Sequence, residues 1–505
     1  MNGWELVHHI GPSVALFVGA GVVLTADMIG TRGRAPLIPL TLLALAIAAG
    51  WALWHASTGT TGPAFEGAIV MDRFALFFIF LLISATAAVV IASTDWAEEL
   101  DLKGEYYALL LVAAGSMSLL AQGNDLILIF VALETTSIVQ YVLVGVTRQD
   151  RSAEAGIKYL INGAVAAGLM IYGFAFLFGT TGATSLDGIA AFIQSGPEEA
   201  RLPLMLGFVL VAAGFGFKMA IVPFHAWAPD VYQGGPSPVI SFISVASKAG
   251  GFAIALRLFY SGLGGGGTFI SQDWAIMFGV FAVFSMLFGN LAALVQTDVR
   301  RLLGYSSIAQ AGNIAIGLAA VAAGSTLGPS TVLFFLGTYV ATNLGAFFAV
   351  IAISRRIRSY EMSDYAGMIR RSPVLAGVLM LSLLSLTGIP PTAGFIAKLY
   401  VFNGAIQADA LVHVNLGAIE GDFPWLVVVV AVAVFNTAIS AFYYLRWVRV
   451  MVLDEPKDES TFRASAPMQA MLGLATAGVL LFGLIPAPLI SAAQRAAETL
   501  QVRIP

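Results

Sequence analysis

Apolar residues run for about twenty positions at a time along most of this chain, and polar residues collect in the short connectors between the runs. A bilayer core of roughly 30 Å needs about 20 apolar residues per helix. Runs of that kind fall near 12–30, 36–54, 72–93, 106–122, 125–147, 154–178, 202–233, 237–262, 272–296, 298–323, 329–354, 373–407, 424–447 and 466–488. The pattern predicts an all-α integral membrane protein of about fourteen transmembrane helices, with both termini on one side of the bilayer.

Basic residues in short loops orient such a chain. The loops after helices 1, 3, 5, 9, 11 and 13 carry Arg32, Arg34, Lys103, Arg148, Arg151, Arg300, Arg301, Arg355, Arg356, Arg358, Arg370, Arg371, Arg446, Arg449, Lys457 and Arg463. The loop after helix 7 carries none. The opposite side offers Arg73, Arg201, Arg495 and Arg503. The expectation is a cytoplasmic loop at 355–371 and periplasmic termini.

Two runs exceed one crossing and contain helix breakers. The seventh, 202–233, holds Pro223 and Pro229, and the twelfth, 373–407, holds Gly388, Pro390, Pro391 and Gly394. Proline removes a backbone donor and clashes with the preceding turn, so both helices should break inside the membrane. Broken backbone persists there only against protein or water. Helix 7 is fourth in the group 4–8, and helix 12 is fourth in the group 9–13. Five is odd, so the groups should form two inverted five-helix repeats, a transporter pattern. This divides the chain into 1–105 (helices 1–3), 106–262 (first repeat), 263–450 (second repeat) and 451–505 (a loop and helix 14).

Composition narrows the chemistry. Charged residues are 11% of the chain and mean hydropathy is +0.87, against roughly 25% charged residues in soluble domains. The net charge of −4 argues against a nucleic-acid partner. The absence of cysteine excludes disulfides, thiolate zinc sites and cysteine-held iron–sulfur clusters. Of His8, His9, His55, His225 and His413, only His225 falls inside an apolar run, which leaves no haem-ligating pair. No metal site is expected. The start of the chain lacks a basic stretch and small-residue cleavage site, and reads as the start of a mature protein. Gly19-Ala20-Gly21 lacks the third glycine of a dinucleotide-binding turn.

The candidate chemistry lies in charges inside the membrane. Of six lysines, Lys103 and Lys457 are in loops, whereas Lys158, Lys218, Lys248 and Lys398 fall in apolar runs. Each costs about 2.5–3.5 kcal/mol near the bilayer centre, about 10 kcal/mol for four. Lys248 lies about 16 Å in from Ser237 and Lys218 just before the Pro223 break. Lys158 is a turn past Glu154, close enough to the interface for its amine to snorkel. Glu134, about 13 Å in from Asp125, is the buried acid that answers them, and is paired here with Lys218. A static ion pair would only fasten two helices. A row of lysines joined by water would relay protons, with Ser244, Ser247, Tyr305, Ser306, Ser307 and Asn343 as groups able to hold that water. Such residues also serve as interhelical glue. His225, in the helix 7 break, either bridges protons or caps exposed backbone. Asp230 is either a helix-terminus ligand or a proton entry group.

The run Lys218-Met-Ala-Ile-Val-Pro-Phe-His-Ala-Trp-Ala-Pro-Asp-Val-Tyr resembles the hallmark of the antiporter-like proton-channel subunits of complex I and of Mrp cation/proton antiporters. A second run, LSLTGIPPTAGFIAKLYVF at 384–402, looks like the N-type branch, whereas M-type subunits have glutamate at the Lys398 position and L-type subunits a longer tail. The resemblance covers nearly the whole length. It implies that Glu134 and Lys218 form a coupled pair, that Lys248 is the central relay lysine, that Lys398 is the terminal one, and that Lys158 is a further site. Some relatives use histidine at helix 10, where this chain has Tyr305, Ser306 and Ser307.

The resemblance implies a proton-translocating subunit of NADH-quinone oxidoreductase in a bacterial inner membrane, with other membrane subunits as partners. NADH, FMN, iron–sulfur clusters and quinone would then belong to other subunits, and this chain would hold no redox site. Two alternatives stand beside it. One is an Mrp-type antiporter subunit, which would exchange cations without an electron donor. The other is a non-conducting structural subunit, which would tolerate neutralisation of Lys218 or Lys248.

Overall fold

A computed structural model describes residues 8–30, 36–59, 62–408, 411–415 and 420–500. Arg32, Arg34 and Arg503 lie outside the described residues, as does the side chain of His413. Each apolar run becomes a helix, because a chain in lipid must satisfy its backbone donors and acceptors internally. Six spans come first: α1 (Gly11–Ile29), α2 (Leu37–Thr58), α3 (Arg73–Ala92), α4 (Lys103–Gln122), α5 (Leu126–Val144) and α6 (Asp150–Thr181). The broken α7 comprises Arg201–Met219 and Trp227–Gly234. Then follow α8 (Ser237–Gly262), α9 (Ser271–Leu294), α10 (Val299–Ala322) and α11 (Gly328–Ile357). The broken α12 comprises Pro373–Thr387 and Ala393–Ile406, and α13 (Trp425–Leu453) and α14 (Ala466–Leu484) complete the spans. A short amphipathic α15 (Ala487–Ala497) follows. Two antiparallel hairpins, Gly62–Ala64 with Ile69–Met71 and Leu411–Asn415 with Glu420–Pro424, sit in connectors.

Helix starts follow capping chemistry. The carboxylates of Asp72, Asp125 and Asp298 accept from backbone N–H groups in the first turns of α3, α5 and α10. Burial ranks the spans: α8 is wholly enclosed and α10 nearly so, whereas α1, α2, α6, α13 and α14 present broad apolar faces outward. α10, the span of lowest mean hydropathy, therefore sits where lipid scarcely reaches it.

The two breaks share one backbone device. Ala220 and Gly388 each adopt the left-handed conformation after the first half-helix. The N–H of Ile221 reaches back to the carbonyl of Gly216 at 3.0 Å, and that of Ile389 to Leu384 at 3.0 Å. Ala220 N–H bonds Phe217, and Gly388 N–H bonds Ser385. Both ends are Schellman caps, with a proline three residues after the left-handed residue. This short repeat, Ala-Ile-Val-Pro against Gly-Ile-Pro-Pro, is visible in the sequence only once the caps show which residues correspond. Five crossings separate α7 from α12, so the two broken helices run in opposite directions.

Candidate proton-relay site

The lysine of α7 ends its first half-helix. Lys218 is 2% exposed, and its Nζ donates to Gln140 Oε1 at 2.8 Å and Ser137 Oγ at 3.2 Å. Both acceptors are on α5, one and two turns beyond Glu134. Glu134 itself is half-buried and makes no ion pair with Lys218 within 4 Å; its charge acts on Lys218 at longer range. This corrects the expected direct pairing. The α5 periodicity turns Ser137 and Gln140 toward Lys218, and these neutral groups occupy the ammonium.

Gln140 Oε1 also accepts from Ser247 Oγ at 3.0 Å and Tyr159 OH at 3.2 Å. Ser247 precedes Lys248 on α8, at the end of a wide π turn, Ile243–Ser247. Such turns recur at functional sites. Lys248 is 2% exposed and donates to both the carbonyl and Oγ of Ser307 on α10, at 2.5 and 2.6 Å. Ser307 Oγ further accepts from Tyr232 OH at 3.0 Å and Tyr339 OH at 3.2 Å. Ser306 is hydrogen-bonded to Tyr444 of α13. One turn along, Gln310 Nε2 donates to the Leu386 carbonyl at 2.8 Å. The next carbonyl, of Thr387, accepts from Lys398 Nζ at 2.8 Å, and Thr437 Oγ1 is its second partner at 3.2 Å.

A polar axis therefore crosses the buried centre from Lys218 through Gln140 and Ser247 to Lys248, then through Ser307, Ser306 and Gln310 toward Lys398. The breaks supply acceptors along it. The Phe217 carbonyl takes the indole N–H of Trp227 at 2.9 Å, and the Thr387 carbonyl takes Lys398. Ser244 bonds Asn343 at 2.6 Å beside the axis. Tyr305 lies off it, near the Arg301 guanidinium.

The remaining candidates lie off this axis. Lys158 is not enclosed: its side chain is 45% exposed, and it pairs with Glu154 at 2.7 Å and Asp230 at 3.1 Å. Its position about two turns into the 32-residue α6 lets the amine reach the interface, where Asp230 also binds Arg301 at 2.7 Å. Asp230 thus joins α6, α7 and α10. His225 packs its ring on Phe288 at 4.4 Å and meets the backbone of Pro223 at the break. His55 is buried as well, at the end of α2.

Sequence reasoning missed Gln140, Ser137, Tyr159, Tyr444 and Thr437, which resemble interhelical glue until their partners are known. It also missed Arg257, whose guanidinium meets both oxygens of Asp72 at 2.8 and 2.9 Å, both residues buried. An arginine inside the 237–262 run was the available signal.

Residues 123–423, which hold all three buried lysines, match the family described as NADH:quinone oxidoreductase/Mrp antiporter, TM. The chain belongs to this antiporter family. Similar curated members include the NADH-quinone oxidoreductase subunit N of Dehalococcoides mccartyi, 40% identical across 96% of this chain and 98% of that one. The subunit N of Chloroflexus aggregans is 37% identical across 96% of both. A chain of respiratory complex I from Thermus thermophilus superimposes with a TM-score of 0.77 at 30% identity, covering 95% of this chain and 98% of that one. A chain of the Mrp complex from Dietzia sp. shares the antiporter-family fold at a TM-score of 0.82 and 20% identity, covering 99% and 98%.

Proposed function

We propose that this chain is a proton-translocating membrane subunit of an NADH-quinone oxidoreductase of the complex I type. Lys218, Lys248 and Lys398 form its relay, and Glu134 modulates the first of them. The observation that carries this reading is that all three lysines are at most 5% exposed and donate only to neutral oxygens. An ammonium enclosed without a counter-ion is poised to give up its proton when its surroundings change. The side chains between the lysines are hydroxyls and amides, which both donate and accept.

On this reading, electron transfer belongs to other subunits and reaches the chain as a change at the Glu134 end. The five-helix units 106–262 and 263–450 each contribute a broken helix with one relay lysine, and Lys248 lies where they meet. The arginine-rich loops face the cytoplasm of a bacterial cell, and the termini face the periplasm. Lys158 and His225 are peripheral: one is held in an interfacial ion-pair network and the other stands beside the axis.

The test is Lys218→Ala in the assembled complex, with electron transfer to quinone and proton uptake into sealed vesicles measured on one preparation. Retained assembly with a fall of at least fivefold in pumping is expected. Normal rates of both would favour a structural subunit. Sodium-dependent proton exchange by this chain without an electron donor would favour an antiporter.

A further inference from the structure

On the side opposite the arginine-rich loops, α2, α3, α11, α14 and α15 surround a cavity of about 910 Å³. Its walls include Phe77, Phe80, Leu344, Phe348, Leu474 and Leu481. Leu474 and Leu481 are 63% and 50% exposed, so the cavity opens sideways as a groove on the outside of the bundle. It follows α3 from Arg73 to Ala88, about 22 Å at the helical rise. One leaflet of hydrocarbon is about 15 Å deep. The groove can therefore take an acyl chain along its length.

Two arginines line one end. Arg73 opens α3, and Arg495 lies in the last turn of α15. These ends are tied together, since Phe74 N–H donates to Thr499 Oγ1 at 3.2 Å. The described residues on this side include four arginines. Arg201 is paired with Asp273 and Arg257 with Asp72. Arg73 and Arg495 have no carboxylate within 4 Å among the described residues, Glu498 included, and both line this one cavity. Two cations without a carboxylate partner among the described residues, set over an apolar slot, match a phosphodiester carrying long chains. Arginine binds phosphate oxygens through charge-assisted, often bidentate hydrogen bonds, while its stem lies along apolar surface.

We propose that the groove between α3, α11, α14 and α15 binds one phospholipid. Its phosphate lies between Arg73 and Arg495, and an acyl chain lies along Phe77, Phe80 and Phe348. The bound lipid fastens α14, the least enclosed span, to the interior helices α3 and α11. The site is separate from the lysine axis and does not depend on what that axis carries.

The experiment places a photoreactive diazirine side chain at Ala477, on the groove wall, in the full membrane complex. Irradiation is expected to give an adduct of phospholipid mass on this chain, at least fivefold weaker in the Arg73→Ala/Arg495→Ala variant. An adduct to a neighbouring protein in place of lipid, or a lipid adduct of equal yield in the double variant, overturns the proposal. A second measurement avoids the altered side chain at 477. After detergent exchange and incubation with phosphatidylglycerol vesicles, native mass spectrometry should count one more bound phospholipid on the unsubstituted complex than on the double variant. Equal counts overturn the proposal.

Discussion

Lys218 and Ser247 donate to the same oxygen, Oε1 of Gln140, at 2.8 and 3.0 Å. Through that one amide the end of the first half of α7 meets the turn of α8 that carries Lys248. Tyr159 is the third donor to the same atom.

Replacing Gln140 with leucine removes this shared acceptor and leaves Lys218 with Ser137 alone. An unsatisfied buried donor costs about 1–3 kcal/mol, more when charged. The expected result is an assembled complex with lowered thermal stability and proton pumping reduced at least fivefold. Gln140→Glu should also pump poorly, for the opposite reason: a carboxylate at that position would hold the ammonium charged. Protons moved per electron, measured in sealed vesicles, checks both.

Asp72 and Arg257 form a buried bidentate pair that ties α3 to α8. Removing one partner of such a pair costs about 3–5 kcal/mol, because the other charge stays buried. Asp72→Ala should therefore lower the thermal midpoint and the yield of assembled complex. Asp72→Ala/Arg257→Leu should recover much of the loss. Arg257→Lys should also lower the midpoint, since an ammonium lacks the planar fork that meets both Asp72 oxygens while Nε meets the Ala121 carbonyl. Thermal unfolding of these three variants beside the unsubstituted protein decides the matter.

Gly388 has φ of +91°, and a Cβ there would lie 3.0 Å from Lys398 Cδ. Alanine would meet both backbone strain and a displaced lysine stem. The expected cost is about 1–3 kcal/mol. Gly388→Ala should also reduce pumping, because Lys398 is pushed from the Thr387 carbonyl. A normal pumping ratio in this variant would show that the position of Lys398 is not critical.

The loop pair Asp364–Lys457 is a contrast. Lys457, and then Ser359, hold the Asp364 carboxyl below the usual carboxylate range. A depressed carboxyl contributes stability that is present above its unfolded value, about 3.9, and is lost as pH falls through the folded value. Lys457 is 72% exposed, so the pair is worth at most about 1 kcal/mol. Lys457→Ala should change the thermal midpoint slightly at pH 7, by the same amount at pH 5.5, and not at all below both values.

By itself the sequence determined the spans, because apolar length against bilayer thickness is a one-dimensional quantity. It determined both breaks, because proline and glycine act on their own backbone. It also singled out Lys218, Lys248 and Lys398, because a lysine in an apolar run is costly wherever the helix packs. Which groups each lysine touches was decided only in three dimensions. Glu134 was the visible partner for Lys218, yet the packing of α5 against α7 places Ser137 and Gln140 at the ammonium. Lys158 was legible as a lysine able to snorkel to the interface, but its partner there, Asp230, lies 72 residues away. The Asp72–Arg257 pair and the groove beneath Arg73 and Arg495 join parts of the chain far apart in sequence. Hydropathy fixes how deep a residue lies along its own helix, and the rotation and contacts of neighbouring helices fix what that residue meets.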